Sequence, residues 1–148
     1  MEKSIGRLVS ILYRKNQVYL NIALKKLNLT ASELPILTYL FKHHGVSQEE
    51  LSAYLAIDKA ATARIVQSLM EKGFLMKEKD LQDRRANKLF LTDLAINEKE
   101  KIYDRLYQWN SYLTEGIDPE AVDTMLSVLE KMVKKLENND NRDIWREI

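Results

Sequence analysis

The sequence sets Arg64 and Gln67 three residues apart in a run of good helix formers, and Asp83, Arg84 and Arg85 side by side between two short apolar segments. Guanidinium forks pair with phosphate or carboxylate, and a carboxamide offers a donor and an acceptor side by side. The chemistry on offer is recognition of a polyanion rather than bond making. An Asp next to two Arg can pair with one and leave the other projecting. The plain alternative is a solvated ion pair worth about 0–1 kcal/mol with no further role. No nucleophile–base pairing stands out, and neither a nucleophile elbow nor a glycine-rich phosphate loop is present, so no catalytic residue and no enzyme is expected. His43 and His44 are adjacent, whereas a zinc site needs three or four convergent ligands; no metal and no cofactor is expected. A histidine there suits the end of a helix dipole better. The sequence has no cysteine, which excludes a disulfide framework and thiolate metal sites and fits a cytoplasmic protein.

The elements that would position these groups can be read from periodicity. With 148 residues, 45% hydrophobic and 30% charged, the chain has the composition of one globular domain spanning 1–148. No signal peptide and no membrane-length apolar run is read in it. Its net charge of +1 is unevenly placed: residues 1–91 hold 15 Lys/Arg against 9 Asp/Glu, and residues 92–148 hold 8 against 13. A basic front and an acidic back suit a polyanion on one face, although chance unevenness gives the same pattern.

Ile5, Leu8, Val9, Leu12, Tyr19, Ile22 and Leu27 predict a long amphipathic helix over 5–27. Thr30 with Glu33 predicts a capping box, with Ser32 as an alternative cap, ahead of a helix that carries Pro35 near its first turn and ends by His43-His44-Gly45. Ser47 with Glu50 predicts a second box, ahead of a short helix. Asp58 is the N-cap of the next helix, 59–72, which Gly73 closes. Residues 74–79 and 88–92 predict a hairpin whose tip, 80–87, is longer and more charged than a tight turn requires. Asp93–Glu115 predicts a long helix with Ile102, Leu106, Trp109 and Leu113 on one stripe, ended by Gly116. Asp118-Pro119 starts a last helix with apolar residues in near-heptad spacing from Val122 to Leu136.

Two short helices joined by Ala56-Ile57-Asp58 form a helix-turn-helix, and the hairpin makes it winged. The fold class expected is mainly α with a small β-hairpin wing. Such a helix fits the major groove of double-stranded DNA, with its N-terminal side chains at base edges and its dipole and free N–H groups near phosphate. Ser47, Lys59, Ala60, Ala61, Thr62, Ala63, Arg64 and Gln67 are the expected contacts on the helices. The small residues allow close approach, Arg64 suits guanine or phosphate, Gln67 suits adenine, and Thr62 or alanine methyls suit thymine. Ala-Ala-Thr-Ala is also simply good helix former. Asp83, Arg84 and Arg85 are expected at the wing, with a free guanidinium entering a narrow minor groove.

Residues Leu51–Leu55, Ile57-Asp58-Lys59, Leu69 with Glu71-Lys72-Gly73, Asp83-Arg84-Arg85 and Leu91-Thr92 together resemble the winged-helix core of the MarR-type transcriptional regulators. The likeness extends along the whole chain, because that family also has a long first helix and two long C-terminal helices. The sequence departs from it at Ala95, where the family usually has glycine, and at Ala60-Ala61, where it often has Ser-Thr. The resemblance implies a homodimer that represses transcription, with 5–27 and 93–137 as dimerisation helices and 30–92 as the DNA-binding lobe on half of a palindromic site. The apolar stripes on the first and last helices exceed what a lone winged helix needs, though they could instead bury one another in a monomer. The resemblance further implies a small-molecule effector held between the dimer helices and the lobe. Tyr13, Tyr39, His43, Tyr103 and Tyr107 are the candidates by position, each equally readable as core. The competing readings are a winged helix that docks protein, or a small-molecule binder, without DNA affinity.

Overall fold

The computed structural model describes residues 3–83 and 87–138. Arg84, Arg85 and the tail beyond residue 138 lie outside the described residues. The chain divides into two compact units, Met1–Trp109 and Asn110–Ile148. Its elements run α1 (Ile5–Ala23), a single 3-10 turn (Lys25–Leu27), α2 (Leu34–Leu40), α3 (Gln48–Leu55), α4 (Lys59–Glu71), β1 (Leu75–Lys79), β2 (Asn87–Leu91), α5 (Asp93–Thr114) and α6 (Pro119–Asn138). The fold is the expected one: mainly helical, with a winged helix-turn-helix between longer flanking helices.

In the first unit the core gathers apolar residues from the α-helices and both strands. Leu24, Ile36, Leu37, Leu40, Leu51, Val66, Leu69, Leu89 and Ile102 are fully or almost fully buried. On α4 the inward stripe is Thr62, Val66 and Leu69, a spacing that keeps one helix face against the core. The first helix stops earlier than its periodicity suggests. It ends at Ala23, and the following 3-10 turn closes on Asn28 in the left-handed region, φ 60°. Asn tolerates that conformation better than most residues.

The predicted caps form in different ways. Ser47 Oγ accepts from Glu50 N–H at 3.1 Å, and Asp58 Oδ1 from Ala61 N–H at 2.7 Å. At Thr30–Glu33 only the returning half of the box is made: Glu33 Oε2 accepts from Thr30 N–H at 2.9 Å. The Thr30 hydroxyl pairs with Ser32 instead, and α2 begins later, at Leu34. Glu33 also accepts from Ser68 Oγ at 2.7 Å and from Lys72 Nζ at 3.0 Å, so one buried carboxylate ties α2 to the end of α4.

The wing is an antiparallel pair with Leu75 opposite Leu91 and Lys79 opposite Asn87. An isolated bridge adds Val46 to it, with Leu89 N–H donating to Val46 O at 2.8 Å. This third backbone segment has no periodic signal in the sequence. Gly45, at φ +70°, makes it reachable, and a Cβ there would sit 3.1 Å from the Phe90 ring. Gly73, at φ +83°, turns the chain from α4 into β1 as its position implies. Ala95 is fully buried in the first turn of α5, whose backbone is helical, so alanine fits where glycine is common in the resembling proteins.

In the second unit, Gly116 at φ +76° follows the end of α5, and Asp118 Oδ1 accepts from Glu120 N–H at 3.0 Å at the start of α6. The α6 residues Met125, Leu126, Leu129, Met132, Val133 and Leu136 are all exposed.

Candidate nucleic-acid interface

The helix-turn-helix is fixed by its own turn. Ala56 adopts a left-handed conformation, φ 54°, which reverses the chain between α3 and α4. Asp58 then caps α4. Ser52 Oγ donates to Thr62 Oγ1 at 2.8 Å, and Thr62 Oγ1 donates to Asp58 O at 3.0 Å. This buried relay joins the two helices.

Thr62 is therefore a correction to the expected contact set. Its side chain has 0% exposure and faces the core, so its methyl cannot meet a thymine. The helical period explains this: residue 62 precedes Val66 by four and Leu69 by seven, on the inward face. The expectation of an open anion site at the α4 tip also changes. Asp58 already takes the Ala61 N–H and places a negative carboxylate there. Positive charge on this surface has to come from side chains.

Those side chains are well placed. Lys59, Ala60, Ala63, Arg64 and Gln67 are exposed on α4, while Ala61 is half-buried. Ser47, half-buried at the start of α3, uses its oxygen as a cap and keeps its hydroxyl proton for another acceptor. Asp83 is exposed. The expected pairing of Asp83 with a neighbouring arginine involves Arg84 and Arg85 and so falls outside the described residues.

The structure adds Gln48, Ser68, Glu71 and Lys77 to the neighbourhood of the expected contacts. Gln48, Ala63, Arg64, Gln67, Ser68, Glu71 and Lys77 line one open groove of about 460 Å³. It brings the start of α3 and strand β1 up to the exposed face of α4. Gln48 could have been suspected from its place beside the Ser47 cap. Lys77 could not, because the strand's angle to α4 is tertiary. At the wing, Asp80 braces the hairpin end: Oδ1 accepts from Gln82 N–H at 2.9 Å, and Lys88 Nζ lies 3.7 Å from Oδ2. The Gln82 N–H outweighs an opposing effect of burial and, with help from the Lys88 charge, holds the Asp80 carboxyl below its ordinary range.

The residues expected around a small molecule fall in different surroundings. Tyr13 lines a cavity of about 380 Å³ together with Gln17, Leu20, Thr38, Ile65 and Leu106. Gln17 Nε2 donates to the Tyr13 hydroxyl at 2.9 Å. Tyr39 lies outside that lining, with its ring 4.3 Å from those of both His43 and Tyr54. Tyr103 packs against Phe41 at 5.7 Å, and Tyr107 is 73% exposed.

A capped helix-turn-helix with a hairpin beside it, an exposed cationic and amide-bearing face on the second helix, and long flanking helices define the winged helix-turn-helix class of regulators. The MarR family profile matches residues 29–86. A MarR transcriptional regulator from Methanosarcina mazei Go1 is 30% identical in sequence, with a TM-score of 0.83 over 88% of this chain and 94% of that one. The chain belongs to the MarR family of transcriptional regulators. The uncharacterized HTH-type transcriptional regulator YybA of Bacillus subtilis is 28% identical over 123 residues, 80% of this chain and 79% of its own. A MarR family regulator from Listeria monocytogenes, solved in complex with 26-mer DNA, has the same fold: TM-score 0.87, 22% identity, 93% of this chain and 91% of that one. Among the described residues, no helix is long and apolar enough to cross a membrane.

Proposed function

We propose that this protein is a cytoplasmic, homodimeric repressor that binds a palindromic DNA site through α4 and the wing and is released by a small molecule. The observation that carries the reading is the exposed face of α4, where Lys59, Arg64 and Gln67 stand among small alanines and Arg64 and Gln67 share a groove with Lys77. Cations meet phosphate, the amide and guanidinium meet base edges, and the alanines let the helix backbone come close. The DNA complex of the Listeria monocytogenes protein supports the same role for this fold. Arg84 and Arg85 are assigned to the minor groove; Asp80 and Lys88 brace the hairpin in the described part of the wing.

The unpartnered apolar stripes on α1 and α6 are assigned to a second copy of the chain. Such a dimer would set two copies of α4 on adjacent major grooves, about 34–36 Å apart, and would repress by covering the site. The cavity beside Tyr13 is assigned to an apolar effector with one polar group, for which Tyr13, Gln17 and Thr38 provide partners. Effector release follows if the occupied cavity favours a lobe arrangement that no longer fits DNA. Fluorescence anisotropy on a genomic fragment pool tests the reading. Binding should be tight at low salt and weaken steeply as salt rises, with a selected site of two inverted halves. Salt-insensitive or absent binding sinks it.

A further inference from the structure

We propose that Glu71 is a positioning residue for sequence readout, holding the Gln67 amide in the orientation that accepts adenine and rejects guanine. The inference rests on the DNA-binding reading above and concerns how that surface discriminates. Gln67 Nε2 donates to Glu71 Oε1 at 3.2 Å, one helical turn further along the same face of α4. Both side chains are exposed, and both line the groove that Arg64 and Lys77 share.

An ionised carboxylate can only accept a hydrogen bond. The Gln67 atom facing Glu71 must therefore be the amide nitrogen, because a flipped amide would set two acceptor oxygens against each other. The groups left to Gln67 are its oxygen and its second N–H. Adenine presents an N6 donor and an N7 acceptor in the major groove and matches that pair. Guanine presents two acceptors, O6 and N7, and opposes the oxygen. A glutamine without this constraint could turn over and offer donors in place of its oxygen. In water the restraint is weak, since exposed pairs at this spacing contribute little. As the groove closes on DNA and water leaves, a hydrogen bond to a charged group strengthens. Glu71 also repels phosphate, so it lowers affinity for every duplex. Its two effects therefore have opposite signs, and a role in helix stability has neither signature.

The test uses the full chain, wild type and the variants Glu71→Gln, Glu71→Ala and Gln67→Ala. A randomised duplex pool is selected with each, and affinities are measured for the best site and for its adenine-to-guanine variants. Wild type should prefer adenine over guanine by roughly tenfold at one position in each half-site. Glu71→Gln, whose amide can donate or accept, should lose roughly threefold or more of that preference while binding unrelated duplex more tightly. Glu71→Ala should do the same, and Gln67→Ala should abolish the preference. Thermal melting should be nearly unchanged in all three. An intact adenine preference in both Glu71 variants overturns the proposal and leaves Glu71 as a charge alone. Weaker binding to all duplexes with a lowered Tm also overturns it, in favour of a structural role. Absence of salt-sensitive binding by the wild type would instead sink the DNA-binding reading on which the proposal stands.

Discussion

Single residues here divide between those that face outward to recognise and those that hold the recognisers in place. Thr62 belongs to the second group. Thr62→Val keeps the shape but leaves the Ser52 hydroxyl buried without its acceptor, which should cost about 1–3 kcal/mol of stability. Denaturant unfolding measures this, and the sequence preference on DNA should stay as in the wild type. Glu33 is the other buried polar residue of consequence. Burial pushes its carboxyl up, but hydrogen bonds from Lys72, Ser68 and the Thr30 N–H, with the Lys72 charge, outweigh it and hold the pKa below the ordinary 4.5. The folded state therefore binds this proton less tightly than the unfolded state. The resulting stability is complete above the unfolded value and is lost as pH falls through the folded one. Melting profiles between neutral pH and pH 3 should show an acid-labile limb that is shallower in Glu33→Gln, a variant less stable at neutral pH.

At the scale of elements, the turn and the inward face of α4 set the DNA-facing geometry. Ala56 occupies a left-handed conformation that costs a non-glycine residue free energy. Ala56→Gly should raise stability by about 0.5 kcal/mol, seen as a small upward shift in Tm. Leu69→Ala opens a cavity in the core beneath α4 and should cost about 2–5 kcal/mol. Arg84→Ala or Arg85→Ala should leave the melting temperature nearly unchanged and weaken DNA binding. Each should lower the slope of log affinity against log salt by about 0.9 if one phosphate contact is lost. Equal losses of thermal stability in Leu69→Ala, Arg84→Ala and Arg85→Ala would contradict the assignment of the wing. Most element bounds were legible in the sequence because caps and glycines mark them: Asp58, Gly73, Gly116 and Asp118-Pro119 stand where periodicity breaks. The Val46 bridge and the 3-10 end of α1 were not, since one depends on a strand distant in sequence and the other on local turn geometry after an unbroken apolar stripe.

For the whole molecule, the exposed stripe of α6 is the face on which the proposed dimer can be tested. Leu129→Glu places a charge in that stripe and should shift sedimentation toward the monomer. Operator affinity should then fall by roughly a hundredfold, because two half-sites would no longer be engaged together. A variant that stays dimeric with unchanged affinity would move the interface elsewhere.

Local chemistry determined much of this protein from the sequence by itself. Helix caps, left-handed glycines and apolar periods act within a few residues of one another, so the winged helix-turn-helix order and the exposed pair Arg64 and Gln67 could be read directly. The inward turn of Thr62 was present in the same period but was masked by its place in a run of small residues. What only the tertiary structure decided involves groups far apart in the chain: Glu33 reaching Ser68 and Lys72, Lys77 brought beside Arg64, and a cavity that includes Tyr13 but not Tyr39, Tyr103 or Tyr107. Side-chain type and spacing limit which contacts can form, but the packing angles between elements choose among them.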